Sequence, residues 1–189
     1  MAYLLKPYKG KSEKSIDKLI PYPFIMKSVK VIIETPRGST EKYDYDKDRG
    51  LFALKKILPA GMIFPYDFGF FPGTTGGDGD PVDVLVIGEF KSFPGCMMDC
   101  RIIGVVLAEQ SSKKGKERND RFFAVPVLSS VFKHIDSIKD IPKQEMTNIV
   151  NFFMVYNLQE GKEFTPLKML KPHDAIKLYK KYRSGNSKP

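Results

Sequence analysis

The sequence has only two cysteines and two histidines in 189 residues. Thiols this sparse exclude the disulfide framework of a small secreted domain. They also argue against a zinc site. Cys96 and Cys100 make one Cys-x-x-x-Cys pair, and His134 and His173 lie far from it in the chain. Both cysteines read as core or loop thiols in a reducing compartment. Long apolar runs are missing too. None approaches the roughly 18 residues of a membrane span. Met1 to Lys18 alternates Leu, Tyr and Lys without the continuous apolar core of a signal peptide. The expected location is the cytoplasm, with no membrane partner. Acidic residues are outnumbered, 22 Asp and Glu against 31 Lys and Arg, for a formal net charge of +9. That excess admits nucleic acid, an acidic membrane surface or a small anionic substrate as partner. The densest lysine clusters, 113–116 and 177–188, read as solvated faces.

Against this basic background, three aspartates fall within six residues in Gly76-Gly77-Asp78-Gly79-Asp80-Pro81-Val82-Asp83. Unpaired like charges this close raise one another's pKa. Hard divalent ions take oxygen ligands, so the cluster reads as a metal cradle with glycines turning the backbone around it. The plainer alternative is a solvated acidic turn before a strand. An EF-hand is excluded: counted from Asp78, the sixth position is Asp83 where that loop needs Gly, and a strand-like Val-Leu-Val-Ile follows in place of a helix.

Short strands separated by turns dominate the first two thirds. Ser28–Thr35 is rich in β-branched residues and stops at Pro36-Arg37-Gly38. Residues 42–46 alternate, with Lys42, Asp44 and Asp46 on one face, and 51–54 return as a hairpin. The aromatic stretch 64–73 leads into the acidic loop, as a wall beside the site or as plain core. Val82–Ile87, Cys100–Leu107 and Phe122–Leu128 read as strands, and Glu109–Asp120 as a polar excursion. This spacing predicts a β-barrel or sandwich. A helix follows from Asp140, capped by that residue, with Met146, Ile149, Val150 and Phe153 as its apolar stripe and Gly161 as its end. A second helix covers about 174–183, with Ile176, Tyr179 and Tyr182 on one face. There is no internal repeat. The expected organisation is an N-terminal arm over 1–28, one domain over 29–183 and a disordered tail over 184–189.

Asp78-Gly79-Asp80-Pro81-Val82-Asp83-Val84 resembles the signature of the family I soluble inorganic pyrophosphatases. The resemblance extends over about 29–160: Glu34 before Pro36, Lys42-Tyr43-Asp44, Phe64-Pro65 through Phe68-Gly69-Phe70, Ala124-Val125-Pro126, and Phe152-Phe153 before Tyr156. It implies a mainly β, α+β fold: a five-stranded, OB-like closed β-barrel flanked by C-terminal helices. It implies hydrolysis of pyrophosphate to two phosphates with several Mg²⁺ ions, Mn²⁺ serving as a substitute, in a homo-oligomer. By that resemblance Asp78 and Asp83 hold the principal metals, Asp80 orients or deprotonates the attacking water, and Glu34 is a peripheral metal or water ligand. Lys42, Lys56 and Arg121 bind phosphate oxygens, and Tyr156 donates to a phosphate. The chain departs from the pattern at Asp44 (usually Glu), Phe64 and Phe68 (Tyr), Lys56 (Arg), Arg121 (Lys) and Asn157 (Lys). Two further metal-binding aspartates of the family fall on Asn119 and Gln110, which makes the neighbouring Asp120 and Glu109 candidates if the loop is shifted by one residue. A relative that binds phosphorylated ligands or partners without turnover, and a nucleic-acid-binding OB-like module, are the alternatives.

Overall fold

The computed structural model describes residues 28–112 and 115–185. The expected arm therefore lies outside the described residues save for Ser28, and so does the expected tail from 186 on. The strands are β1 (Val29–Thr35), β2 (Glu41–Asp46), β3 (Leu51–Ile57), β4 (Asp67–Phe70), β5 (Asp83–Val86), β6 (Met97–Ser112), β7 (Gly115–Arg118) and β8 (Arg121–Pro126). A 3-10 turn over Ile138–Asp140 precedes helix α1 (Lys143–Leu158), and β9 (Phe164–Leu170) precedes helix α2 (Pro172–Arg183).

Strands β1, β4, β5, β8 and β6 pair in that order, and β6 pairs back onto β1, so five strands form a closed ring. A mainly β ring of five strands with C-terminal helices agrees with the fold that the resemblance implied. Pairing is antiparallel except between β5 and β8. The apolar runs of these two strands have a simple cause, because both of their faces are covered. Phe122 and Ala124 join Val84 and Val86 in a cluster completed by Ala175, Tyr179 and Tyr182 of α2. Their neighbours Phe123 and Val125 join Leu85 in a second cluster, completed by Met146, Ile149 and Phe153 of α1. Successive strand side chains point to opposite faces, so each helix seals one face. The hairpin β2–β3 forms a separate two-stranded sheet.

Several expectations need correction. Residues 109–120 are not merely a polar excursion: β6 runs on to Ser112, and β7 pairs with its end. The aromatic stretch contains the buried strand β4. A strand, β9, intervenes between the helices and pairs with β6. Its burial pattern is mostly exposed, and Pro166 interrupts it, so it carries little strand signal of its own; the long partner recruits it. Helix α1 begins at Lys143, with Pro142 at its N-cap position. Asp140 instead closes a capping box with Ser137 around the 3-10 turn, accepting from the Ser137 N–H at 2.9 Å.

Candidate active site

The acidic loop connects β4 to β5 and closes on itself. Phe71 N donates to Val82 O (3.0 Å), Gly76 N to Asp80 O (2.7 Å) and Val82 N to the Thr74 hydroxyl (3.0 Å). Gly79 has φ +89°, a left-handed conformation that glycine adopts without strain. A Cβ on Gly77 would come within 2.9 Å of the Arg118 carbonyl oxygen. The loop thus presents Asp78 and Asp80 at the mouth of a cleft of about 510 Å³. Asp80 N donates to Asp78 Oδ1 (3.1 Å), and the Asp80 carboxylate, 79% exposed, lies 3.6 Å from Lys47 Nζ.

Asp83 opens β5. The parallel register that sets Val84 beside Phe122 also sets Asp83 beside Arg121, the first residue of β8. Arg121 Nη1 donates to Asp83 Oδ2 at 2.5 Å and to the Asn119 side-chain oxygen. Its guanidinium lies among the rings of Phe153 (5.3 Å), Phe164 (5.5 Å) and Phe68 (5.9 Å), a cation–π setting on a desolvated charge. Burial pushes the Asp83 carboxyl up to about 6, with Arg121 opposing and Glu34 and Asp78 adding to the rise. Burial also raises Asp78. Carboxylates raised in this way gain from any cation placed between them.

Glu34 reaches the cleft through a local irregularity. The β1–β4 register shifts between Ile33 and Thr35, which makes Glu34 the extra residue of a bulge, and bulges re-aim side chains. Glu34 accepts from Tyr45 N (3.0 Å) and Lys42 Nζ (3.2 Å). Lys42 Nζ also donates to Tyr43 O (2.6 Å) and to Asp44. Burial opposes the Lys42 charge, but Glu34 and Asp44 outweigh it and hold its pKa above the ordinary value. Lys56 donates to Glu160 and lies 3.7 Å from the centroid of the Tyr156 ring.

The fold therefore brings Glu34, Lys42, Asp78, Asp80, Asp83, Arg121 and Tyr156 to one cleft lining. Lys56 joins them through Glu160, which lines the cleft, and through the Tyr156 ring. Asp120 and Glu109 do not belong to that lining; Asp120 lines a smaller adjoining pocket together with Asp78, Asp83 and Asn119. In that pocket Asp120 lies beside Arg118 and Tyr182. There it accepts from Ala108 N (3.0 Å) and Arg118 (2.7 Å) on Oδ1 and from the Tyr182 hydroxyl (2.6 Å) on Oδ2. Glu109 sits within β6, paired with Arg118 and Thr165. The wall facing Asp83 consists instead of Asn119 and Gln110, joined side chain to side chain at 2.7 Å, and Arg121. Phe64 is core, 1% exposed, whereas Phe68 lines the cleft beneath Lys42 at 5.2 Å. Lys47, Lys55, Glu160 and Lys162 also line it and had not been singled out. Their only sequence signal is position, beside the hairpin turn and just past the end of α1.

The cysteines match their reading as core or loop thiols. Both are free; Cys100 is buried and its thiol is pushed up to about 12 by burial, and Cys96 is half-buried. Among the described residues, no helix is long and apolar enough to cross a membrane.

A family model described as inorganic pyrophosphatase matches residues 31–185. The chain is 39% identical over 137 residues to the inorganic pyrophosphatase of Halalkalibacterium halodurans, covering 72% of this chain and 82% of that protein. It is 37% identical over 132 residues to that of Methanosarcina acetivorans, covering 70% and 76%. Among solved structures, the inorganic pyrophosphatase from Helicobacter pylori superposes with a TM-score of 0.77 at 28% identity, over 86% of this chain and 95% of that one. The Thermus thermophilus enzyme gives 0.77 at 29% identity, over 87% and 94%.

Proposed function

The chain belongs to the inorganic pyrophosphatase family, and we infer that its cleft hydrolyses inorganic pyrophosphate to two phosphates. One observation carries this at the level of residues. The acidic loop and the cations Lys42, Lys56 and Arg121, scattered from residue 42 to 121 in sequence, converge on a single cleft large enough for a small anion.

Members of this family use divalent metal ions, and the donor set fits them in kind. Asp78, Asp83, Asp80 and Glu34 offer hard oxygen ligands, and the raised Asp78 and Asp83 carboxyls are stabilised as anions by a cation. Among the described residues no three such side chains are already drawn together as a coordinating group; Glu34, Asp80 and Asp83 pair instead with Lys42, Lys47 and Arg121. We assign Mg²⁺ as the ion, with Mn²⁺ as a substitute. When bound, such ions neutralise phosphoryl oxygens and acidify water. Asp80, exposed on the loop, takes the proton of the water that attacks phosphorus. Lys42, Lys56 and Arg121 bind phosphoryl oxygens through charge-assisted hydrogen bonds, and Tyr156 donates to the departing phosphate. Phe68 and the rings around Arg121 keep that corner dry, which strengthens each of these contacts.

Phosphate release with Mg²⁺ or Mn²⁺ tests the assignment. Asp80→Asn is expected to lower turnover by roughly 10²- to 10⁴-fold, the range of a lost general base. Background release by the wild type across the metal series would overturn the reading. The neutral Asn119–Gln110 wall favours one second reading, binding without turnover. Calorimetric binding of pyrophosphate by a wild type that releases no phosphate would establish it.

We further assign residues 29–183 to a single pyrophosphatase-like unit, supported by the ring closure and the two sealing helices. Assembly into a homo-oligomer is supported by apolar side chains exposed on β3, where Leu51, Leu54 and Ile57 are 56–70% accessible. A cytoplasmic location agrees with the two free thiols.

A further inference from the structure

The wall that faces Asp83 is built around a buried cation. Arg121 is 4% exposed, and its Nη1 donates to Asp83 Oδ2 at 2.5 Å and to the Asn119 side-chain oxygen. The Asn119 side-chain amide donates in turn to Gln110 Oε1 at 2.7 Å. Both side-chain oxygens of this neutral pair are therefore engaged, one by the guanidinium and one by an amide proton. Among the described residues every hydrogen bond of Arg121 leaves from Nη1, and its buried Nε has no partner. The rings of Phe153, Phe164 and Phe68 surround the guanidinium at 5.3, 5.5 and 5.9 Å. A guanidinium is permanently charged, weakly hydrated and stacks on aromatic faces, so it suits this setting. A magnesium ion keeps several waters and takes carboxylate oxygens, which neither amide supplies.

We propose that the Arg121 guanidinium is a resident cation, standing between Asp83 and the Asn119–Gln110 pair in the place of a divalent ion. The proposal rests on the pyrophosphatase reading of the cleft. The charges match: one carboxylate meets one guanidinium, and the amide pair adds no negative charge to hold a further ion. A buried charge needs both a counter-charge and hydrogen bonds. Asp83 Oδ2 and the Asn119 oxygen supply these to Arg121, and Nη1 bridges them as a shared metal ion would. Divalent ions are then confined to the loop side, among Asp78, Asp80 and the other oxygen of Asp83. Nη2 is left for a phosphoryl oxygen. The neutral wall is on this view a matched partner of the arginine: the amides complement a single positive charge, where a pair of acids would demand two.

Titration with Mn²⁺ alone, followed by the electron paramagnetic resonance signal of the free ion, counts bound ions without substrate or turnover. Asn119→Asp is expected to bind the same number as the wild type, because Arg121 pairs with the new carboxylate. Asn119→Asp combined with Arg121→Gln is expected to bind one Mn²⁺ more per chain, because the carboxylates then face each other with no cation between them. An extra ion in Asn119→Asp alone, or none in a folded double variant, overturns the proposal. Where the double variant does not fold, the single variant decides. This pattern in a protein that releases no phosphate from pyrophosphate overturns the hydrolytic reading and leaves the resident cation assigned. Phosphate release by the wild type together with an extra ion in Asn119→Asp overturns the resident cation and leaves the hydrolytic reading standing.

Discussion

Asp120 and Arg121 are neighbours in sequence with opposite fates, and the difference lies in which way each side chain leaves the start of β8. Arg121 points to Asp83 and the larger cleft; Asp120 points into a smaller pocket that Asp78, Asp83, Arg118 and Tyr182 also line. The sequence posed this as a question of phase, with Asn119 and Gln110 at the expected positions and an acid beside each. Phase in a strand is set by its pairing partners, so only the β5–β8 and β6–β8 registers settle it. Tyr182 is buried and donates to a carboxylate that is itself buried, so Tyr182→Phe removes a charge-assisted bond. We expect a loss of about 1.5–3 kcal/mol in urea denaturation. An unchanged midpoint would mean that Arg118 and Ala108 N alone satisfy Asp120.

Among the elements, those with strong local signals were legible. Val29–Thr35, Val82–Ile87 and the hairpin at 41–57 follow from β-branched content, apolar runs and turn residues. The stripe of α1 docks as its spacing requires, with Met146, Ile149 and Phe153 buried. Strands β7 and β9 were not legible, because their residues are polar or exposed and β6 supplies the pairing. Contacts between loops were equally silent. Glu89 accepts from the Ser129 hydroxyl (2.7 Å), from Ser130 N (2.8 Å) and from Val131 N (3.2 Å), which fastens the segment after β8 to the segment after β5. The Ser129 bond leads these in lowering the Glu89 carboxyl from 4.5 to about 2. A folded-state pKa below the unfolded value contributes stability above pH 4.5 that is lost as pH falls towards 2. Glu89→Gln should therefore be less stable than wild type at pH 7, and the gap should close between pH 4.5 and 2. Denaturation midpoints across that interval check this, and a gap independent of pH would refute it.

At the level of the whole molecule, the two helices do different work on opposite faces of one ring. Helix α2 buries Ala175, Tyr179 and Tyr182 against Phe71 and Phe122, and Thr75 N of the acidic loop donates to Tyr182 O at 3.0 Å. Ending the chain at Lys171 uncovers that face. Loss of two buried aromatics costs about 3–5 kcal/mol each, comparable with the 5–15 kcal/mol that holds a domain together. We expect no cooperative thermal transition from the truncated chain; a sharp transition within a few degrees of the wild type would show that the ring is self-sufficient. By itself the sequence marked out the acidic loop, because three aspartates within six residues and their glycines are a local pattern, and local patterns are readable without a fold. It also determined the mainly β class, through strand spacing. The tertiary structure alone decided which side chains oppose that loop. Glu160 and Lys162 stand more than a hundred residues from Lys56, Asn119 and Arg121 belong to the wall of the larger cleft, and Asp120 meets the loop in the smaller pocket beside it. Such meetings depend on register and ring closure, and those are properties of pairs of strands that no single stretch of sequence contains.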